Sequence, residues 1–155
     1  RKKPTPAATA SATSLSDKLV ELLPTTGIAY SPSFQPLIKV PVYFWCDIPE
    51  EITKKMEIVG EVVTVKLRPT FIWHYGDGTF FMTRKIGAPY PEGEIQHTYS
   101  TQGHYLIELI TRWEGTFTVD GVTAAIPGKI DTVSVLPITV VAAPSRFTPP
   151  VLYSR

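Results

Sequence analysis

Residues 71–79 read Phe71-Ile72-Trp73-His74-Tyr75-Gly76-Asp77-Gly78-Thr79, and this stretch decides the fold. Side chains along a strand alternate, so Phe71, Trp73 and Tyr75 share one face and send three aromatic rings into a single interior. Gly76 and Gly78 then permit positive φ around Asp77, whose carboxylate accepts backbone N–H groups within the turn. Further along the chain comes His97-Thr98-Tyr99-Ser100-Thr101-Gln102-Gly103-His104-Tyr105. Gly103 precedes a second strand, on which Tyr105, Ile107 and Leu109 point one way while Glu108 and Arg112 point the other.

Outward from these segments the pattern stays β. From Pro36 on, short runs of β-type residues alternate with turn residues, and strands are expected near 37–46, 57–68, 70–75, 79–84, 104–113, 115–119, 122–126 and 130–142. Seven or eight short strands, with Gly-Asp-Gly, Pro-Glu-Gly-Glu and Val-Asp-Gly-Val as turn signals, predict an all-β sandwich of immunoglobulin type over 37–143. Residues 1–36 differ: 1–16 are Pro, Ala, Thr and Ser without apolar period and read as a linker. Ser14-Leu15-Ser16-Asp17 then starts a short helix over about 16–23, with Lys18 and Glu21 on its wet side and Pro24 closing it. Residues 24–36, with three prolines and a glycine, read as loop, and 144–155 as a Pro-rich tail. No internal repeat is evident.

In immunoglobulin domains a tryptophan on one central strand packs on the inter-sheet core, and a tyrosine near the start of another bonds back to the preceding corner. Trp73 fits the first role and Tyr105 the second. Ile107 and Val63 or Val65 are expected where such domains carry their inter-sheet disulfide. The two motifs, Trp73-x-Tyr75-Gly76-Asp77-Gly78 and His97-x-Tyr99-x-x-x-Gly103-x-Tyr105, resemble the signature of the PKD (polycystic kidney disease) domain family over roughly 37–142. Among its members the chain looks most like stand-alone bacterial PKD proteins with a Pro-rich approach to the first strand and an extra hairpin after Trp113. The resemblance implies a β-sandwich found mostly outside cells, serving as a spacer, a force-bearing element or an adhesion and ligand module. The helix and linker at 1–36 and the Pro-rich C-terminus depart from that pattern.

Bulk properties narrow the function classes. At 155 residues the chain suits one domain with tails, and a 43% apolar, 19% charged composition is globular. Fifteen basic against fourteen acidic residues give a net charge of +1, with none of the basic surplus of a nucleic-acid binder. The one dense basic run, Arg1-Lys2-Lys3, reads as a solvated chain end. Cys46 is the sole cysteine, which rules out an intrachain disulfide, and beside Asp47 it reads as a small buried hydrophobe. No apolar run approaches the ~18 residues of a membrane-spanning helix, and Pro137 interrupts the longest, Val133 to Ala143. The chain begins at Arg1, as a processed product or a segment cut from a longer protein would.

Reactive constellations are weak. His74, His97 and His104 lack the short spacing of a zinc site, so His97 is expected to bond near the Gly76-Asp77-Gly78 turn and the other two to sit on surfaces. Asp47, Glu50, Glu51 and Asp77 form no Asp-x-Asp-x-Asp loop for calcium. No Gly-x-Ser-x-Gly elbow frames a nucleophile, Glu92 and Glu94 read as a solvated loop and not as a glycosidase pair, and Gly-Asp-Gly lacks the lysine and helix of a phosphate loop. No catalytic residue, cofactor or metal is therefore expected. Tyr43 and Trp45 share a strand face opposite Val40, Val42 and Phe44, and Trp113 precedes the Gly115–Phe117 hairpin at a sandwich end; each of the three either packs in or beside the core or lies exposed for a ligand. These three aromatics are the candidate ligand contacts. The expectation is a non-catalytic extracellular or cell-surface module that meets a protein or glycan partner. A carbohydrate-binding module, or an accessory domain of a larger secreted hydrolase, is the alternative.

Overall fold

A computed structural model describes residues 15–143 apart from Ser16 and Ser33. The expected linker over 1–16, save Leu15, with the start signal's Ser14 and Ser16, and the tail at 144–155 lie outside the described residues. Nine strands follow one another among the described residues: β1 (Ala29–Ser31), β2 (Val42–Trp45), β3 (Ile52–Ile58), β4 (Glu61–His74), β5 (Phe80–Thr83), β6 (Gln96–His97), β7 (Gly103–Val119), β8 (Val122–Ala125) and β9 (Ile130–Val140). They form two antiparallel sheets, one in the order β1-β2-β6 and a six-stranded one in which β3 and β5 flank β4 while β8 and β9 flank β7. The fold is the expected all-β sandwich.

The long pair β4–β7 is its spine. It runs from Thr64 opposite Thr118 to His74 opposite Glu108. Alternation along β4 sends Val63, Val65, Leu67, Phe71, Trp73 and, just past its end, Tyr75 inward, all of them buried. From β7, Ile107, Leu109, Thr111 and Trp113 meet them with no solvent exposure. β2 of the smaller sheet lays Phe44 across this layer, 5.7 Å from Trp73 and 5.6 Å from Tyr75 between ring centroids. Each such aromatic removes on the order of 200 Å² from water, roughly 5 kcal/mol of gross driving force before ordering costs.

The N-terminal helix takes in 17–22, its last turn closed by Leu23 N–H donating to the Leu19 carbonyl at 3.0 Å. Leu15 and Leu19 join the core, Lys18 and Glu21 stay exposed as expected, and Lys18 Nζ reaches the Glu57 carbonyl of β3 at 3.2 Å. The segment after it crosses the inner face. There Thr26 is buried, its hydroxyl 3.2 Å from that of Thr111, and the Ser134 hydroxyl donates to its carbonyl.

Several expected boundaries are corrected. The run expected at 57–68 is in fact a hairpin, β3 turning into β4 at Val59-Gly60, with φ of 52° and 80° as a tight two-residue turn requires. The break expected at Pro69 is absent. Pro69 faces Trp113 of β7 on one side, while its other side falls in the gap between β3, which begins opposite Leu67, and β5, which ends opposite Phe71. A missing N–H costs no ladder bond there. Nor does Gly115 divide β7. A Cβ there would lie 2.8 Å from the Lys66 carbonyl carbon, so this glycine marks a close backbone approach within a continuous strand. Residues 24–36, expected as loop, contain β1, and β6 was not anticipated at all. Val63 and Val65 do not stand across the sandwich from Ile107. They lie on β4, in the same sheet as β7, with Val65 directly opposite Phe117; the buried residues of β2 in the facing sheet are Val42 and Phe44.

Candidate interaction surface

The two sequence motifs meet at one corner. Gly76 (φ 88°) and Gly78 (φ 92°) turn the chain after β4, and a Cβ on Gly76 would sit 2.9 Å from the Leu106 backbone of β7. Asp77 Oδ1 accepts the Thr79 N–H at 3.1 Å and the Thr79 hydroxyl at 2.5 Å. His97 Nε2 donates to Asp77 Oδ2 at 2.7 Å, and its ring stacks on Tyr75 with centroids 4.2 Å apart. Tyr99 meets that imidazole edge-on and donates its hydroxyl to the Tyr75 carbonyl at 2.7 Å. Gly103 opens β7, and two residues later Tyr105 donates to the Thr101 carbonyl at 2.6 Å, the expected corner bond. Every residue of the expected structural motif except Trp73, which lies one layer deeper, touches this corner.

Electrostatics there follow from burial. Partial desolvation pushes the Asp77 carboxyl up, but hydrogen bonds from Thr79 and His97 outweigh it and hold the group below the usual carboxylate range. Burial drives the Tyr75 phenol up to about 12 and raises that of Tyr99 further. Both phenols are therefore neutral at any physiological pH; Tyr99 donates, and the buried Tyr75 hydroxyl has no partner among the described residues. Each carboxylate oxygen of Asp77 has a partner, Thr79 within the turn or His97 of β6, so the corner reads as a structural lock.

The candidate contact aromatics separate. Trp113 is a correction: it has 0% exposure, because β7 continues straight through it and turns its indole into the core. Tyr43 and Trp45 lie half-buried on the outer face of β2, opposite buried Val42 and Phe44. Tyr43 meets the exposed Tyr90 edge-on at 5.5 Å, and Trp45 bridges to Gly87. Cys46 is buried, with its thiol pushed up to about 11 by desolvation. Glu92 is exposed, and Glu94 pairs with Lys85 at 3.0 Å in solvent.

Sequence reasoning missed the outer face of the larger sheet. The strand register aligns Met82 of β5, Ile72 of β4, Ile110 of β7 and Val133 of β9 in one row across four strands. The next row is Phe80, His74, Glu108 and Val135, and beyond it Leu106 stands opposite Pro137. Met82 is 56% exposed and Val133 58%, with Phe80, Leu106 and Val135 similarly bare. On the other flank a charged row closes the patch. Arg112 grips Asp131 with two 2.8 Å bonds, and Glu114 lies 3.5 Å from Arg84 and 3.8 Å from Lys129. The Arg112 hydrogen bonds hold the Asp131 carboxyl below its ordinary value. Leu106 and Ile110, apolar on the side of β7 where Glu108 and Arg112 were read, were the available signal.

No family model, curated protein or solved structure matches the chain. What the arrangement can do therefore rests on its own chemistry. The groove beside the charged row, lined by Thr70, Ile72, Met82, Arg84, Arg112 and Lys129 among others, is about 400 Å³ and open to solvent. Among the described residues no three His, Cys, Asp or Glu side chains gather where they could hold a metal ion, and no helix is long and apolar enough to cross a membrane. A broad apolar sheet face rimmed by paired charges is suited to contact with another macromolecular surface.

Proposed function

We propose that this chain is a non-catalytic module of PKD type, acting outside the cell or at its surface through protein contact in adhesion, assembly or spacing. The observation that carries the reading is the exposed apolar face of the larger sheet, from Met82 and Phe80 across to Val133 and Val135. Soluble domains seldom leave such a patch bare without a partner for it. The locked corner supports the PKD assignment, since it joins the two motifs on which the resemblance rests. Binding to a panel of immobilised cell-surface and matrix proteins tests the reading. The expected result is binding that Met82→Lys/Leu106→Lys abolishes and Trp45→Ala leaves intact. Binding indifferent to the double substitution, or absent across the panel, contradicts it.

A glycan-binding reading has one observation of its own, the outer-face cluster of Tyr43, Trp45 and exposed Tyr90 on the smaller sheet. Aromatic faces stack on sugar rings. Glycan-array binding lost on Trp45→Ala or Tyr90→Ala favours it, and a flat array excludes it.

A further inference from the structure

Every sheet edge carries unpaired backbone groups that invite a further strand, and folded proteins normally blunt them. Most edges here are blunted. β1, β5, β6 and β8 span only two to four residues each, and β3 carries exposed Lys54, Lys55 and Glu57. β9 is different. It is 11 residues long, pairs only with β7 among the described residues, and from Thr132 to Val140 carries no charge. Its orientation follows from its end, where Val141 N–H donates to the Pro36 carbonyl and the Val141 carbonyl accepts from Ile38, both on the side away from β7. The unbroken register along β9 then points the backbone groups of Thr139, Pro137, Val135, Val133 and Asp131 to the same open side. Pro137 has no N–H to offer there, so its missing donor interrupts the edge and not the ladder to β7. Among the described residues, the open, uninterrupted stretch is 131–135.

We propose that a second copy of this chain pairs antiparallel with β9 along that stretch, about a two-fold axis at Val133. This deepens the protein-contact reading and rests on it. Among two-folds through a residue whose N–H and C=O face the open side, three features select one. Centring on Asp131 would set two carboxylates opposite each other, and centring on Val135 would place Pro137 where a donor is needed. Centring on Val133 pairs Asp131 with Val135 of the second copy, keeps like charges apart and leaves Pro137 beyond the ladder. It also joins the row Met82–Ile72–Ile110–Val133 to its two-fold mate, giving one apolar row across eight strands. A two-fold contact of this kind is self-complementary, as closed dimers require.

Cysteine scanning on the full chain tests the register. In the proposed dimer the two Val133 positions are a directly opposed pair, with Cα atoms about 5.5 Å apart and within disulfide reach. The two Val135 positions lie at least roughly 13 Å apart along the strands and are out of reach. The expected result is that Val133→Cys forms a covalent dimer under mild oxidation and Val135→Cys does not. Sedimentation equilibrium of the unmodified chain is expected to show a concentration-dependent dimer. Val133→Lys, which faces itself across the axis, should weaken it tenfold or more, whereas Val135→Lys, which faces Asp131, should not. A chain monomeric at all concentrations, equal cross-linking at both positions, or a dimer indifferent to Val133→Lys overturns the inference. Met82→Lys/Leu106→Lys, remote from the edge, should leave the dimer intact while removing binding to the protein panel. Panel binding without a dimer thus sinks this inference alone, and a dimer without panel binding sinks only the contact reading drawn from the sheet face.

Discussion

The two faces of the larger sheet are built from the same strands, yet they follow opposite rules. On the inner face Phe71, Trp73, Leu109 and Trp113 are wholly buried, and the closing corner is tied by hydrogen bonds from Tyr99, Tyr105 and His97, the last to Asp77. On the outer face Met82, Leu106, Val133 and Val135 are equally apolar but more than half exposed. The contrast separates what hydrophobicity does for folding from what it does for association. Inside, apolar area is removed from water when the chain folds. Outside, the same kind of area stays wet until something covers it, and so contributes to binding and not to stability.

Substitutions on each face should therefore differ in kind. The largest effect is expected from Trp73→Ala, which empties the centre of the inner layer and should cost about 3–5 kcal/mol in denaturant unfolding. Tyr99→Phe removes one buried hydrogen bond to the Tyr75 carbonyl and should cost about 1–2 kcal/mol by the same measurement. A cost near zero there would show that the corner is ornament on the fold and not its lock.

Asp77 adds a smaller, pH-dependent term. Its folded-state pKa lies below the unfolded value, so its stabilisation is present above the unfolded pKa of about 4 and disappears as pH falls through the lower folded one. Melting temperature should therefore fall with acidification below about pH 4, and Asp77→Asn should flatten that part of the profile while changing little near neutrality beyond a constant offset. An unchanged acid limb in the variant would contradict the role given to the carboxylate.

The inner face was legible in the sequence because its signals are local. Phe71, Trp73 and Tyr75 keep a two-residue period, Gly76 and Gly78 mark the turn, and Tyr105 follows Gly103 at a corner. The helix was legible from the Ser-x-x-Asp start signal at 14–17 and from Pro24 closing it. β1 and β6, with three and two residues, are too short to carry a period and exist only because β2 lies between them. Trp113 was misplaced because one strand was ended there and a new one begun at Gly115, when Gly115 is a close approach to Lys66 within a continuous strand. The outer patch was hidden for a deeper reason. Met82, Ile72, Ile110 and Val133 are far apart in the chain, and only the pairing of four strands sets them side by side.

The most direct test is the unfolding free energy of Met82→Lys/Leu106→Lys, measured in denaturant at protein concentrations too low for association. If the outer apolar face is reserved for contact, this variant should match the unmodified chain within about 0.5 kcal/mol. A loss of about 2 kcal/mol or more would mean that the outer face belongs to the folding core after all.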